Sequence, residues 1–190
     1  MGIKKEIRIL GIDDAPFDKL KDRKVLIIGT VYRGGNLMDG VVSTYAEVDG
    51  DDATGALIEL VKKTKHRPQL QIIMLKGLAV GGFNVIDISL LSKKTRMPVV
   101  VVMKEEPNFD KIKKALDNVK EGCKKWELIK KAGRIIKVSH LYVQHAGNIS
   151  GKELAELLAI TCTHGKVPEP IRAAHLIASG VVLGESRGRA

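Results

Sequence analysis

The chain has 190 residues, 44% of them hydrophobic and 28% charged, a composition that excludes wholesale disorder and fits one domain over 1–190. The longest apolar run, 97–103 (MPVVVVM), is far short of the ~20 residues that span a bilayer, and the opening MGIKKEIRIL lacks the apolar core of a signal peptide, so a cytoplasmic protein without membrane association is expected. Cys123 and Cys162, without CxxC spacing, support neither a disulfide framework nor a thiolate zinc site. A formal net charge of +10 makes nucleic acid the leading partner class.

Three apolar runs open the chain: 7–12 (IRILGI), 25–32 (VLIIGTVY) and 41–48 (VVSTYAEV), the last following a turn signal at Met38-Asp39-Gly40. Their close spacing leaves no room for helices and predicts an antiparallel meander. After Asp49-Gly50-Asp51-Asp52 the period changes. Ala56, Leu57, Leu60 and Val61 mark a helical face, Asp52 is a natural N-cap, and Pro68 stops the helix. A buried-type strand at 70–75 (LQIIML), a glycine-rich turn, a helix over 84–94 and a strand at 99–103 then predict a parallel pair with a right-handed crossover.

Between Lys104 and Lys137 eleven basic residues stand against six acids, while Phe109, Ile112, Leu116, Val119, Cys123 and Trp126 recur at helical spacing. That pattern reads as a helix or helix pair with lysines on the solvated face. A short strand at 136–143 follows. Ser150 and Glu153 form a capping box ahead of Leu154, Leu157 and Leu158, and a last helix opens at Pro170 and closes at Gly180. The sum is an α/β mixed sheet, three antiparallel strands and then parallel strands, covered by helices.

Acidic residues gather at strand ends: Asp13 and Asp14 after the first, Asp49, Asp51 and Asp52 after the third. Two such clusters on adjacent strands could share one divalent cation, and an all-carboxylate donor set favours Mg²⁺ or Mn²⁺ over zinc. Alternatively Asp52 caps its helix and Asp49 to Asp51 make a turn. His175 shares a helical face with Ile171, Ala174 and Ala178, so its ring points inward. The runs GLAVGG and GTVYRGG match neither the P-loop nor the dinucleotide fingerprint, and no Ser/His/Asp or Cys/His constellation is recognisable.

The segment 141–178, which contains PEPIRAAHLIA, resembles the carboxy-terminal part of endonuclease V, and Gly11-Ile12-Asp13 resembles that family's first catalytic strand end. With LGIDDAPF early, VDGDDAT after the third strand and GGFNVID after the fourth, the pattern is most similar to the archaeal relatives named endonuclease dU. The resemblance spans nearly the whole chain. It implies a ribonuclease H-like fold and a metal-dependent endonuclease that hydrolyses DNA beside deoxyuridine, with Mg²⁺ or Mn²⁺ as cofactor.

By the same resemblance Asp13, Asp49, Asp52, His175 and Lys104 are the candidate catalytic residues. Asp13, Asp14, Asp49 and Asp52 are the candidate metal ligands, with Glu47 an alternative at the third strand. Lys76, Asn84, Asp87 and Arg172 are the candidate substrate contacts. One departure stands out: Lys76-Gly77 replaces the Asp-Gly of endonuclease V, so a cation stands where a ligand is expected. The wedge motif of endonuclease V is not evident at 36–40. Two other readings follow, a nucleic-acid-binding protein of this fold without cleavage activity, and a nuclease for inosine-containing or RNA substrates. No interface patch stands out in a chain with 4% aromatic residues, and no oligomeric state is assigned.

Overall fold

The computed structural model describes residues 2–187. Strands β1 (Arg8–Asp14), β2 (Lys24–Arg33) and β3 (Leu37–Glu47) form the expected antiparallel meander. The β2–β3 hairpin turns at Gly34, which takes a positive φ of 58° and donates its N–H to Ile7 O. The expected turn at Met38-Asp39-Gly40 lies inside β3 instead, where Arg33 of the adjacent β2 and Arg8 of β1 beyond it hold the Asp39 carboxylate at 3.3 and 3.4 Å.

Helix α1 (Ala53–Lys63) leads to β4 (Ile72–Lys76), parallel to β1. The glycine-rich stretch is a two-stranded hairpin, β5 (Ala79–Val80) and β6 (Asn84–Val85), turned by Gly81 and Gly82 at positive φ. The helix expected from Asn84 therefore starts later, as α2 (Ile88–Thr95), with the Asp87 carboxylate accepting from Leu90 N–H as its cap. Strand β7 (Val99–Met103) is parallel to β4.

The basic segment folds into α3 (Phe109–Leu116) and α4 (Gly122–Lys131), whose Leu116 and Ile129 pack on Val85. The strand expected at 136–143 is two, β8 (Ile136–Val138) and β9 (Leu141–Ala146), with β9 antiparallel to β7. The capping box of Ser150 and Glu153 opens α5 (Gly151–Thr161) as expected. Helix α6 (Glu169–Leu183) runs through Gly180 and ends at the left-handed Gly184.

The main sheet has seven strands in the order β3-β2-β1-β4-β7-β9-β8. Its two faces bury separate cores: Leu10, Ile12, Ile73, Leu75 and Val101 against α1 and α2, and Ile9, Ile72, Met74, Val100 and Val102 against α5 and α6. Among the described residues no helix is long and apolar enough to cross a membrane.

Candidate active site

Strand alternation sends the two aspartates of β1 in different directions. Ile9, Gly11 and Asp13 share the α6 face, whereas Leu10, Ile12 and Asp14 share the other. Asp14 accordingly meets the β5–β6 hairpin, its Oδ2 accepting from Gly81 N–H at 2.8 Å. In β4, Ile72 and Met74 face α5 and α6, and two residues on Lys76 rises beside Asp13. On β2 the buried hydroxyl of Thr30 donates to Pro170 O at 2.6 Å, seating the start of α6 on the sheet. Little more than one helical turn later, His175 hangs over the ends of β1 and β4.

The three side chains meet in a triangle. Lys76 Nζ is 2.9 Å from Asp13 Oδ2 and 3.0 Å from His175 Nδ1, and Nδ1 is 2.9 Å from the same Asp13 oxygen. A single imidazole tautomer satisfies only one of its two contacts: Nδ1 either accepts from the Lys76 ammonium or donates to the Asp13 carboxylate. Nε2 is buried and has no partner among the described residues, so proton exchange at this ring runs through Nδ1. The Asp13 side chain is only 4% exposed, against 28% for Lys76. Lys76 therefore supplies the countercharge a buried carboxylate needs and is also the group most open to an incoming ligand.

Asp13, Asp14, Phe17, Lys76 and His175 line one open pocket. Lys76 also lines the next depression, together with Gly77, Met103 and the exposed Lys104. Burial pushes the Asp14 carboxyl up to about 6 from its ordinary 3.8, against the opposing pull of the Gly81 hydrogen bond and with help from the neighbouring Asp13 charge.

The acids after β3 serve a different purpose. Asp49, at a positive φ of 51°, accepts from Phe83 N–H at 2.7 Å and pairs with Lys19 at 3.1 Å, while Lys125 donates to its carbonyl. Asp52 Oδ1 accepts from Glu47 N–H at 3.0 Å and from Asn84 Nδ2 at 2.7 Å, and makes no side-chain cap on α1. Asn84 is fully buried. Its Oδ1 takes Ala53 N–H at 3.1 Å and its Nδ2 also donates to Glu47 O at 2.9 Å, so the amide is spent on clamping the turn between β3 and α1.

Asp87 caps α2 and pairs with Lys131. Arg172 forks onto Glu169 at 2.9 and 2.7 Å. Of the residues singled out from the sequence, Asp13, Asp14, Lys76 and His175 thus share the pocket and Lys104 borders it. Asp49, Asp52, Asn84, Asp87 and Arg172 lie in local clamps, caps and ion pairs.

The donor set does not fit a divalent ion as arranged. The position between Asp13 Oδ2 and His175 Nδ1 is held by the Lys76 ammonium. Among the described residues no three His, Cys, Asp or Glu side chains gather as a ligand group, so Asp13, Asp14, Asp49 and Asp52 are not assembled as one in this structure.

The family described as Endonuclease dU matches residues 5–182. The chain belongs to that family. A UPF0215 protein of Methanothermobacter thermautotrophicus is 52% identical over 192 residues, covering 99% of this chain and 94% of its own. A crystal structure of a protein from Archaeoglobus fulgidus is 37% identical with a TM-score of 0.86, covering 92% of this chain and 98% of that one. Endonuclease V of Ciona intestinalis, solved with a 24mer DNA containing an inosine, is 16% identical with a TM-score of 0.63 over 97% of this chain and 89% of its own, a likeness of fold. The Endonuclease dU chain is thus ribonuclease H-like in fold, as its sequence resemblance implies, and its family is one of endonuclease type.

Proposed function

We propose that this Endonuclease dU protein is an endodeoxyribonuclease that hydrolyses a phosphodiester in DNA beside deoxyuridine. The observation that carries the reading is the triangle of Asp13, Lys76 and His175 in an open pocket at the carboxyl ends of adjacent parallel strands. The +10 chain draws the polyanion in. Lys76, the most open of the three, turns toward the phosphate and offsets the charge that grows on its oxygens, with Lys104 beside it. Its departure frees His175 Nδ1 to take a proton from the attacking water, whose oxygen bonds to phosphorus as the P–O bond to the leaving sugar oxygen breaks and that oxygen takes a proton from solvent. The imidazolium so formed donates to Asp13 Oδ2, which stabilises it.

The Mg²⁺ or Mn²⁺ requirement implied by the family resemblance enters no step here, because Lys76 holds the position a cation would need. The same contact favours a second reading, a nucleic-acid-binding protein of this fold that does not cleave. A cleavage panel separates the two: uracil, hypoxanthine and unmodified strands, as DNA and as RNA, with Mg²⁺, with Mn²⁺ and with chelator. Nicking confined to uracil-containing DNA and abolished by Asp13→Ala supports the nuclease. Salt-sensitive binding with no product on any strand supports the second reading.

A further inference from the structure

A second pocket opens two residues beyond Lys76. Leu78, Phe83, Met103, Phe109 and Ile129 give it apolar walls, and Gln144 of β9 is its buried polar group. Met103 also lines the depression that holds Lys76 and Lys104, so the pocket mouth adjoins the phosphate-facing lysines.

Gln144 is only 2% exposed. Its Nε2 donates to Gly133 O at 2.7 Å, which fixes the orientation of the amide. Its Oε1 has no partner among the described residues. With the amide held by that bond, Oε1 is a fixed acceptor on a residue that lines the pocket, and an occupant that brings an N–H gains a hydrogen bond there. The cavity is about 160 Å³, and a cavity of ~150 Å³ holds one benzene-sized ring. A single six-membered ring with an N–H on its edge matches both requirements.

We propose that this pocket receives the uracil ring of an extruded deoxyuridine and that Gln144 Oε1 reads it by accepting its N3–H. The choice of DNA rests on the function proposed above; the reading itself does not require cleavage. Deamination of cytosine turns ring N3 from an acceptor into a donor. Cytosine would set its N3 lone pair against Gln144 Oε1, whereas uracil completes the bond. Phe83 and Met103 supply apolar surface for the ring faces. Thymidine carries the same N–H edge, so rejection of thymidine falls to its cost of leaving a matched stack, which a mismatched uracil largely avoids.

The test is fluorescence anisotropy with the full chain and single strands that differ only at one central base, deoxyuridine, deoxycytidine or N3-methyl-deoxyuridine, with chelator present. The parent protein should bind the deoxyuridine strand about tenfold more tightly than the other two. Gln144→Leu should bind all three alike, near the parent's affinity for the deoxycytidine strand, because phosphate contacts set the common part of the affinity. Equal binding of N3-methyl-deoxyuridine and deoxyuridine by the parent would overturn the proposal without any variant. So would undiminished preference in Gln144→Leu, or a deoxyinosine strand bound more tightly than the deoxyuridine one. Discrimination without any cleavage defeats only the nuclease reading; cleavage at deoxyuridine without discrimination defeats only this pocket.

Discussion

Gly11 lies so close beneath Pro170 that a β-carbon at position 11 would come within 2.4 Å of the proline's carbonyl carbon. Backbone cannot swing aside as a lysine tip can, so Gly11→Ala must lift the first turn of α6 from β1. The buried bond from Thr30 to Pro170 O ties the same turn to β2 and resists that movement. The variant is expected to lose about 1–3 kcal/mol of stability, the range for overpacking a tight core. Because His175 rides on this helix, contact with Asp13 is lost as well. Urea unfolding checks the first effect; weakened retention of a uracil-containing strand checks the second.

Much of this frame is legible in the amino-acid sequence. The meander, α1, the β4–α2–β7 crossover and the capped α5 follow from apolar period and stop signals, and Asp13, Lys76 and His175 drew notice individually. What was not legible is long-range. Asp39-Gly40 has turn chemistry, yet it lies in a strand, where Arg8 and Arg33 hold the Asp39 carboxylate. Strands β5 and β6 are two residues each, too short to show a period. The aspartates after β3 look like metal ligands until Asn84, more than thirty positions away, is seen to bind Asp52. Gln144 carried no local signal, since its meaning depends on an apolar pocket assembled from the β5–β6 hairpin, β7 and two helices.

Lys76→Ala removes the countercharge of a buried carboxylate. In chelator the variant is expected to be less stable than the parent by about 3 kcal/mol, the usual cost of stranding one partner of a buried ion pair. It also vacates the position between Asp13 Oδ2 and His175 Nδ1. Mn²⁺ should then bind the variant more tightly than the parent and restore part of the lost stability by mass action. Calorimetric titration with Mn²⁺ and thermal unfolding with and without the ion measure both. Equal Mn²⁺ affinity in the two proteins would show that Lys76 does not compete for this position.

Asn84 was an expected substrate contact, but its buried amide ties Ala53, Glu47 and Asp52 together. Asn84→Ala strands an N–H, a carbonyl and a carboxylate at one turn and is expected to cost about 3 kcal/mol or more. Its effect on nucleic acid should be indirect: after correction for the folded fraction, the preference for deoxyuridine over deoxycytidine stays at the parent's value. A folded Asn84→Ala protein that loses this preference would return the residue to the base-reading role.

Asp14 should make the protein less stable as pH rises. Its carboxyl titrates near 6 when folded, against an ordinary 3.8, chiefly because burial disfavours the charge. Below about pH 4 the group is protonated in both states and contributes nothing to the balance. Between about 4 and 6 the folded state holds the proton more tightly than the unfolded chain, so each rise in pH costs stability, and above 6 the full penalty applies. The shift corresponds to about 2–3 kcal/mol. Asp14→Asn keeps an oxygen to accept from Gly81 N–H and removes the charge. It should therefore raise the unfolding free energy at pH 7.5 and leave it nearly unchanged at pH 4. Urea denaturation at the two pH values measures the difference, and a stabilisation equal at both would mean that Asp14 carries no buried charge.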